Sequence, residues 1–193
     1  PPGLALSEAD IQPDLDRRKP GQSDVTTPRK EEDAITILSG VFEGKTTGTP
    51  ILLIARNKDA RSDDYSILKT LYRPSHADFT YNKKYGIRDW RGSGRASARE
   101  TLARVAAGAI AKKYLREHFG ISFLSYVDQV GSITSSIDPL TVNPDEIESS
   151  ITRCPDREVA PQMEALIREV QAQGDSIGGV IRGVITGCPV GLG

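Results

Sequence analysis

One long helix constrains this chain more than any other feature of its sequence. Residues 97–118 place apolar side chains on one helical face: Leu102, Val105, Ala106, Ala109 and Ile110. Small residues recur at every fourth position on another face: Ala103, Ala107 and Ala111. Because small side chains let backbones approach closely, the sequence predicts a central helix that packs on more than one side.

A loop rich in glycine and arginine precedes this helix. Residues 91–100 read Arg-Gly-Ser-Gly-Arg-Ala-Ser-Ala-Arg-Glu, in which Gly92 and Gly94 allow positive φ and close approach of a ligand. Ser97, with Glu100 three residues later, predicts a capping box at the helix start. A glycine turn that opens a helix presents backbone N–H groups and the positive end of the helix dipole, so it favours a phosphate group.

The charge distribution points to the same loop. Residues 73–104 contain eight Lys or Arg and three Asp or Glu, a net charge of +5, whereas the whole chain carries −1 and the remainder therefore −6. A cationic segment in an acidic chain predicts an anionic partner. Arg91, Arg95 and Arg99 can add charge-assisted hydrogen bonds to that anion. The alternative is a loop of solvated arginines in which the glycines serve only the turn.

Helices and strands alternate along the rest of the chain. A β-hairpin is predicted over 34–55 with its turn at Glu43 and Gly44, because β-branched residues flank that turn. Further helices are predicted over 7–17, from 144 onward and over 158–172, and strands over 121–137 and 176–190. Glycines in the last strand predict close helix–strand packing.

The sequence also excludes some classes of protein. No apolar run is long enough to cross a bilayer, and the N-terminus does not resemble a signal peptide. Cys154 and Cys188 lack metal-site spacing, so we expect reduced structural thiols in a reducing compartment, with a disulfide as the alternative. No metal site is predicted.

His76 is the candidate for acid–base chemistry. It lies in a turn that contains proline, and Asp78 follows two positions later. A histidine titrates near neutral pH, so it can exchange protons with a substrate or cofactor. The alternative is a structural or surface histidine. His118, at the end of the long helix, is predicted to be a C-terminal helix cation.

Several segments resemble the signature blocks of the chorismate synthase family. The clearest are Arg73-Pro-Ser-His-Ala-Asp78, Lys84-Tyr-Gly86 and Gly92-Ser-Gly-Arg-Ala-Ser-Ala-Arg-Glu-Thr101. Further blocks in the same order are found at 16–21, 38–44, 61–65, 105–114, 174–178 and 189–193. The resemblance covers essentially the whole chain, and several blocks in register are more specific than any single motif.

The resemblance implies an α+β fold, a β-α layered sandwich of the chorismate synthase type with a long central helix after the glycine/arginine loop. It implies that residues 1–193 form a single incomplete domain of that family. Family members carry a Gly-Glu-Ser-His-Gly segment before the counterpart of Pro1, and a long C-terminal half after the counterpart of 189–193.

The resemblance also implies an activity. It is a lyase that removes phosphate from 5-enolpyruvylshikimate 3-phosphate by anti-1,4-elimination and gives chorismate, in the shikimate pathway of aromatic amino acid biosynthesis. Reduced FMN is required without net redox change, and NADPH is the candidate reductant. The expected protein is a cytoplasmic homotetramer that binds neither nucleic acid nor membrane.

Roles for individual residues follow from the same resemblance. His76 matches a histidine that lies against the flavin and acts as an acid. Arg95, Ala96 and Ser97 match an Arg-Ser-Ser segment that contacts the flavin. Because Ala96 lacks the hydroxyl of its counterpart, any contact there is expected through the backbone.

Substrate binding is expected from three arginines, because two carboxylates and a phosphate require several guanidinium groups. These residues are Arg18, Arg91 and Arg99. Arg18 matches a family arginine that contacts the substrate. A second family cation is replaced here by Asp24, which departs from the pattern, and Lys19 or Arg29 are the candidates to compensate.

Two other kinds of function fit parts of the sequence. One is a phosphate- or nucleotide-binding module without catalysis. The other is an RNA-binding surface over 73–104, on which Tyr81, Tyr85 and Trp90 stack with bases. The near-neutral charge of the whole chain argues against the RNA surface.

Overall fold

The structure, a computed structural model, describes residues 1–26, 31–57, 62–92 and 94–192, with only the backbone at 62–64. The chain divides into two compact units. The first is Pro1–Gly21 with Pro28–Ala111, and the second is Gln22–Thr27 with Lys112–Gly193. The single domain expected over 1–193 stays a prediction. Arg29, proposed to compensate for Asp24, lies outside the described residues, as does Arg61 at the start of one family block.

The first unit begins with short helices and strands. In chain order they are the 3₁₀ turn Glu8–Asp10, α1 (Gln12–Arg18), β1 (Ile35–Ser39), β2 (Val41–Phe42), β3 (Lys45–Thr46), β4 (Leu52–Ala55) and the 3₁₀ helix Ser62–Lys69. After them come α2 (Asp78–Tyr85), the 3₁₀ turns Gly94–Ala96 and Ala98–Glu100, and α3 (Thr101–Phe119). Residues of α3 up to Ala111 belong to this unit.

The helix predicted over 7–17 is divided into two pieces. Ser7 precedes the first turn, and its backbone N–H donates to Asp10 Oδ2 at 2.8 Å. The α-helix proper starts only at Gln12, with Pro13 in its first turn. Proline lacks an N–H and fits an α-helix without cost only in that turn, so Pro13 fixes where α1 begins.

The predicted hairpin is confirmed. Strand β1 pairs antiparallel with β4, and β2 with β3. Glu43 and Gly44 form the turn with φ of 48° and 73°, the left-handed values that a tight two-residue hairpin turn requires. A break separates β1 from β2 at Gly40, where φ is 84° and a Cβ atom would lie 2.8 Å from Ile51 Cα. Only glycine fits this close approach.

One face of α3 forms the core of the first unit. The predicted face is confirmed, since buried residues of α3 pack with residues of the N-terminal segment, α1 and β1: Leu6, Ile11, Leu15, Ile35, Leu102, Ala106 and Ala109. The second row of small residues is exposed: Ala103, Ala107 and Ala111. Within the described chain, no element packs against that row. Helix α3 is therefore covered on one face, whereas the sequence predicted packing on more than one.

The second unit combines a three-stranded sheet with two helices. Its elements are β5 (Ser122–Val130), β6 (Ile133–Thr134), α4 (Pro144–Glu148), α5 (Ala160–Ala172) and β7 (Gly179–Thr186). The sheet is antiparallel in the order β6-β5-β7. Helix α5 buries Met163 against Val130 and Cys154, which confirms its predicted amphipathic character.

Gly179 at the start of the last strand has a different role from the predicted one. A Cβ atom at Gly179 would lie 2.4 Å from the Gln129 carbonyl oxygen of β5. The close neighbour is thus a strand backbone, and the expectation of helix–strand packing was wrong at this position. Cys154 is buried and Cys188 is exposed, and both are free thiols.

Within the described ranges, no helix is both long enough and apolar enough to cross a membrane.

Candidate functional site

A cavity of about 520 Å³ lies in the first unit beside the start of α3. Its apolar wall comes from β1, β4 and α3: Ile35, Leu53, Ile54, Ala55, Leu102, Ala103 and Ala106. Its polar side comes mainly from the glycine/arginine loop and nearby acids: Glu31, Asn57, Tyr65, Asp89, Arg91, Gly92, Gly94, Arg95, Ser97, Arg99 and Glu100. The lining thus combines apolar side chains with charged ones.

The loop that enters α3 differs from the predicted capping box. The α-helix begins at Thr101, after two 3₁₀ turns. Ser97 Oγ accepts from the Arg99 N–H at 3.2 Å, as a cap does. The reciprocal bond is missing because the Ser97 N–H donates to the Gly94 carbonyl at 3.1 Å. Glu100 instead accepts from Arg95 Nη1 at 2.9 Å.

This arrangement changes where an anion can bind. The N–H groups of Ser97, Arg99 and Glu100 donate to oxygens within the loop. They are therefore occupied, whereas the side chains of Arg91, Arg95 and Arg99 bring further donors to this place. Ala96 lies at the end of the first 3₁₀ turn and is half-buried, outside the lining of the cavity.

Two of the predicted arginines are exposed and weakly held. Arg95 is 83% exposed and pairs with Glu100 at 2.9 Å. Arg91 is 61% exposed, and its Nε lies 3.5 Å from Asp89 Oδ1. Ion pairs between exposed side chains contribute only about 0–1 kcal/mol. Both guanidinium groups can therefore exchange their carboxylate for the anionic group of a ligand at little cost.

The other two predicted arginines are held by a buried carboxylate. Asp33 is fully buried, with Oδ1 2.8 Å from Arg99 Nη1 and Oδ2 3.0 Å from Arg18 Nη1. Arg99 lines the cavity and also lies 3.4 Å from Glu31. Arg18 is outside the described lining, and its Nε and Nη2 contact Thr101 Oγ1 at 3.2 and 3.1 Å.

The positive charge predicted for residues 73–104 is largely neutralised at the cavity. The described lining contains as many arginines as carboxylates, with Glu31, Asp89 and Glu100 as the acids. Each of these acids forms an ion pair with one of the lining arginines. The net charge of +5 over 73–104 therefore overstates the positive potential at the cavity.

His76 lies in a second cluster of the first unit. Its Nδ1 is 3.1 Å from Asp78 Oδ1 and 3.3 Å from Arg73 Nη2. Asp78 begins α2 and is buried, while the His76 side chain is 23% exposed. A protonated Nδ1 can donate to this carboxylate, whereas an unprotonated Nδ1 can accept from Arg73 Nη2. The described lining of the cavity does not include His76.

Asp78 is the centre of this second cluster. It accepts from Arg73 Nε at 2.8 Å, Arg73 Nη2 at 3.0 Å and the Arg73 backbone N–H at 3.1 Å. Arg88 Nη1 lies 3.4 Å from Oδ1, and the Arg88 side chain is 7% exposed. The hydrogen bonds from Arg73 hold the pKa of Asp78 well below its ordinary range, although burial alone would raise it.

Asp24 belongs to the second unit. Its carboxylate pairs with Arg168 at 2.7 and 3.1 Å, and the hydrogen bond from Arg168 lowers its pKa. The position where the family has a cation thus holds a carboxylate here that pairs with Arg168 of α5.

Sequence reasoning missed Asp33 and Glu31 as parts of the site. They lie in a run of acids, Glu31-Glu32-Asp33, which normally indicates a solvated segment. The available signal for these acids was the excess of arginines in residues 73–104. Buried cations need carboxylate partners, so some acids from elsewhere in the chain were to be expected beside them. Among the described residues, no cluster of His, Cys, Asp and Glu is arranged to hold a metal ion.

Comparison with known proteins matches this fold to one family. A family model described as chorismate synthase matches residues 1–193. The chorismate synthases of Thermosynechococcus vestitus and Synechococcus elongatus are each 58% identical over 193 residues, which is all of this chain and 53% of each relative.

A solved chorismate synthase crystal structure matches with a TM-score of 0.70 and 35% identity, over 96% of this chain and 51% of that one. The predicted α+β fold of the chorismate synthase type is confirmed by this match. The chain spans about half the length of the relatives named above. Since the family model covers all 193 residues, this chain belongs to the chorismate synthase family.

Proposed function

We propose that the protein acts as a chorismate synthase, a lyase that converts 5-enolpyruvylshikimate 3-phosphate to chorismate with loss of phosphate. The observation that carries this proposal is the cavity beside α3. It brings Arg95 and Ser97, which match the flavin-contacting segment of the family, against an apolar wall. A non-catalytic phosphate-binding loop would not need that wall.

The lining residues fit reduced FMN in two respects. The wall of β4 and α3 side chains, including Leu53, Ala55 and Leu102, suits a flat and largely apolar ring system. The exposed guanidinium group of Arg95 suits the phosphate of the cofactor. When bound, reduced FMN supplies electron density transiently and recovers it, so the elimination involves no net redox change.

The chain's own residues supply charge and a proton. Arg18, Arg91 and Arg99 are proposed to bind the carboxylates and the phosphate of the substrate, as planar guanidinium groups do. His76 is proposed to hold a proton at Nε2, because its Nδ1 faces the buried carboxylate of Asp78. We extend the proposal to a homotetramer in the cytoplasm with NADPH as reductant, on the family resemblance alone.

Arg95→Ala tests the flavin site. We expect FMN binding to weaken by about 1.5–3 kcal/mol, the usual loss for a hydrogen bond to a charged group. The measurement is a fluorescence titration of FMN, repeated with riboflavin, which lacks the phosphate. If Arg95 binds the phosphate, riboflavin affinity stays unchanged.

A matched control is Arg157→Ala, since Arg157 is a 78% exposed arginine of the second unit with one carboxylate partner, Glu146. We expect no change in FMN affinity for this variant. Equal FMN affinity for wild type and Arg95→Ala would remove Arg95 from the cofactor site.

Arg18→Lys tests the substrate site. Lysine keeps the charge opposite Asp33 but cannot form the fork that reaches Asp33 and Thr101 together. We expect KM for 5-enolpyruvylshikimate 3-phosphate to rise about tenfold or more, with FMN affinity and the circular dichroism spectrum unchanged. An unchanged KM would show that Arg18 does not contribute to substrate binding.

A further inference from the structure

We propose that Asp33 is a positioning residue for substrate binding, which holds Arg18 and Arg99 side by side next to the cavity. The proposal rests on the proposed function, because the ligand it serves is the multiply charged anion that these arginines would bind. Asp33 itself contacts no ligand in this scheme, since its carboxylate is fully buried.

Asp33 joins three separate parts of the first unit. It lies just before β1, Arg18 ends α1, and Arg99 is in the 3₁₀ turn that leads into α3. Each carboxylate oxygen pairs with one arginine, Oδ1 with Arg99 at 2.8 Å and Oδ2 with Arg18 at 3.0 Å. One side chain therefore sets the separation of two guanidinium groups that would otherwise repel each other.

Both guanidinium groups are fixed by further contacts. Arg18 Nη2 donates to the Ala98 carbonyl at 3.3 Å as well as to Thr101. Arg99 Nη2 donates to the Arg56 carbonyl at 3.3 Å. These contacts leave each arginine about one-fifth exposed, whereas Arg95 is 83% exposed. Donors fixed before the ligand arrives lose less entropy on binding, so this pair is pre-organised for an anion.

The backbone conformation at Asp33 allows a substitution that changes the charge of the side chain and little else. Its φ is 48°, a left-handed value that asparagine adopts at least as readily as aspartate. Gln12 also holds this segment, since its Nε2 donates to the Asp33 carbonyl at 3.4 Å and its Oε1 accepts from the Ile35 N–H at 3.1 Å. Asp33→Asn therefore removes the charge and preserves the shape and the backbone conformation.

The test uses the full chain with two readouts. Phenylglyoxal labelling, mapped by mass spectrometry, reports how well Arg18 and Arg99 are held, and steady-state kinetics report substrate binding. For Asp33→Asn we expect faster labelling of both arginines, and a KM for 5-enolpyruvylshikimate 3-phosphate raised about 10- to 100-fold. We expect kcat to fall less than KM rises, with FMN affinity unchanged.

The matched control is Asp128→Asn in the second unit. Asp128 is also a buried carboxylate paired with one arginine, Arg182, at 2.7 Å. Its substitution should leave the labelling of Arg18 and Arg99 and the KM unchanged. A general loss of stability would affect both variants, whereas positioning affects only Asp33→Asn.

Asp33→Glu provides a second variant if Asp33→Asn does not fold. Glutamate keeps the charge and moves it by one methylene, so we expect a folded protein with raised KM and faster labelling. Unchanged labelling and KM in either folded variant would overturn the proposal. If wild type forms no chorismate, the proposed function fails, while the labelling of Arg18 and Arg99 still decides whether Asp33 holds them.

Discussion

Replacing His76 with alanine is expected to lower kcat about 10²–10⁴-fold, the usual range for loss of a general acid. The Tm should change little. Asp78 keeps its hydrogen bonds from Arg73 when the imidazole is removed, and the partly exposed ring leaves no buried apolar cavity. Steady-state kinetics with reduced FMN and thermal unfolding of the same preparation provide the two measurements.

His118→Ala is the matched control for this variant. His118 lies in the last turn of α3, as predicted, and its Nδ1 contacts the Tyr114 carbonyl at 3.1 Å. We expect its kcat to equal that of wild type. If His76→Ala instead lowers the Tm strongly and the folded fraction keeps its activity, His76 has a structural role.

Asp78→Asn is expected to lower the free energy of unfolding by about 3–5 kcal/mol at neutral pH, the usual loss when one partner of a buried ion pair is removed. Asparagine removes the negative charge that Asp78 provides to the buried guanidinium of Arg88 and to Arg73. Urea unfolding at pH 7 measures the difference. Asp24→Asn, which removes an exposed partner of Arg168, should have a smaller effect.

The effect of Asp78 also depends on pH in a defined direction. Its pKa is lower in the folded protein than in the unfolded chain, because Arg73 stabilises the carboxylate. Its contribution is therefore complete above the unfolded pKa of about 3.9 and is lost as the pH falls from there through the lowered folded pKa. The stability difference between wild type and Asp78→Asn should shrink in acid, and a difference independent of pH would contradict the ionic contribution.

Local features of the fold were predictable from the sequence. The turn at Glu43 and Gly44 requires left-handed backbone angles, and a glycine between two β-branched segments indicates such a turn. The apolar periodicity of α5 and the apolar face of α3 could be predicted without knowledge of distant contacts. The start of α3 was placed four residues too early, because Glu100 pairs with Arg95 and does not complete the cap.

The candidate site was only partly predictable, because it depends on contacts between distant segments. Arg91, Arg95, Ser97 and Arg99 line one cavity, as residues of one loop can be expected to do. No local pattern showed that Asp33 would be buried between two arginines. The count of charges likewise indicated a cationic surface, whereas the fold pairs Arg99 with Glu31 from a distant segment and Arg91 with the neighbouring Asp89.

The arginines of the loop still support an anionic ligand, for a reason that the count of charges does not give. Arg95 and Arg91 have exposed partners that a ligand can replace at little cost. Arg18 and Arg99 are fixed by Asp33. The proposed site therefore combines two weakly paired arginines with two that Asp33 holds.

An anaerobic assay of 5-enolpyruvylshikimate 3-phosphate with the full chain decides whether this site is catalytic. Chorismate is followed by absorbance and phosphate by a colorimetric assay, with reduced FMN, with oxidised FMN and without flavin. We predict equal amounts of chorismate and phosphate with reduced FMN, and neither product in the other two reactions. Turnover without flavin, or no chorismate from a protein that binds reduced FMN, would contradict the proposed function.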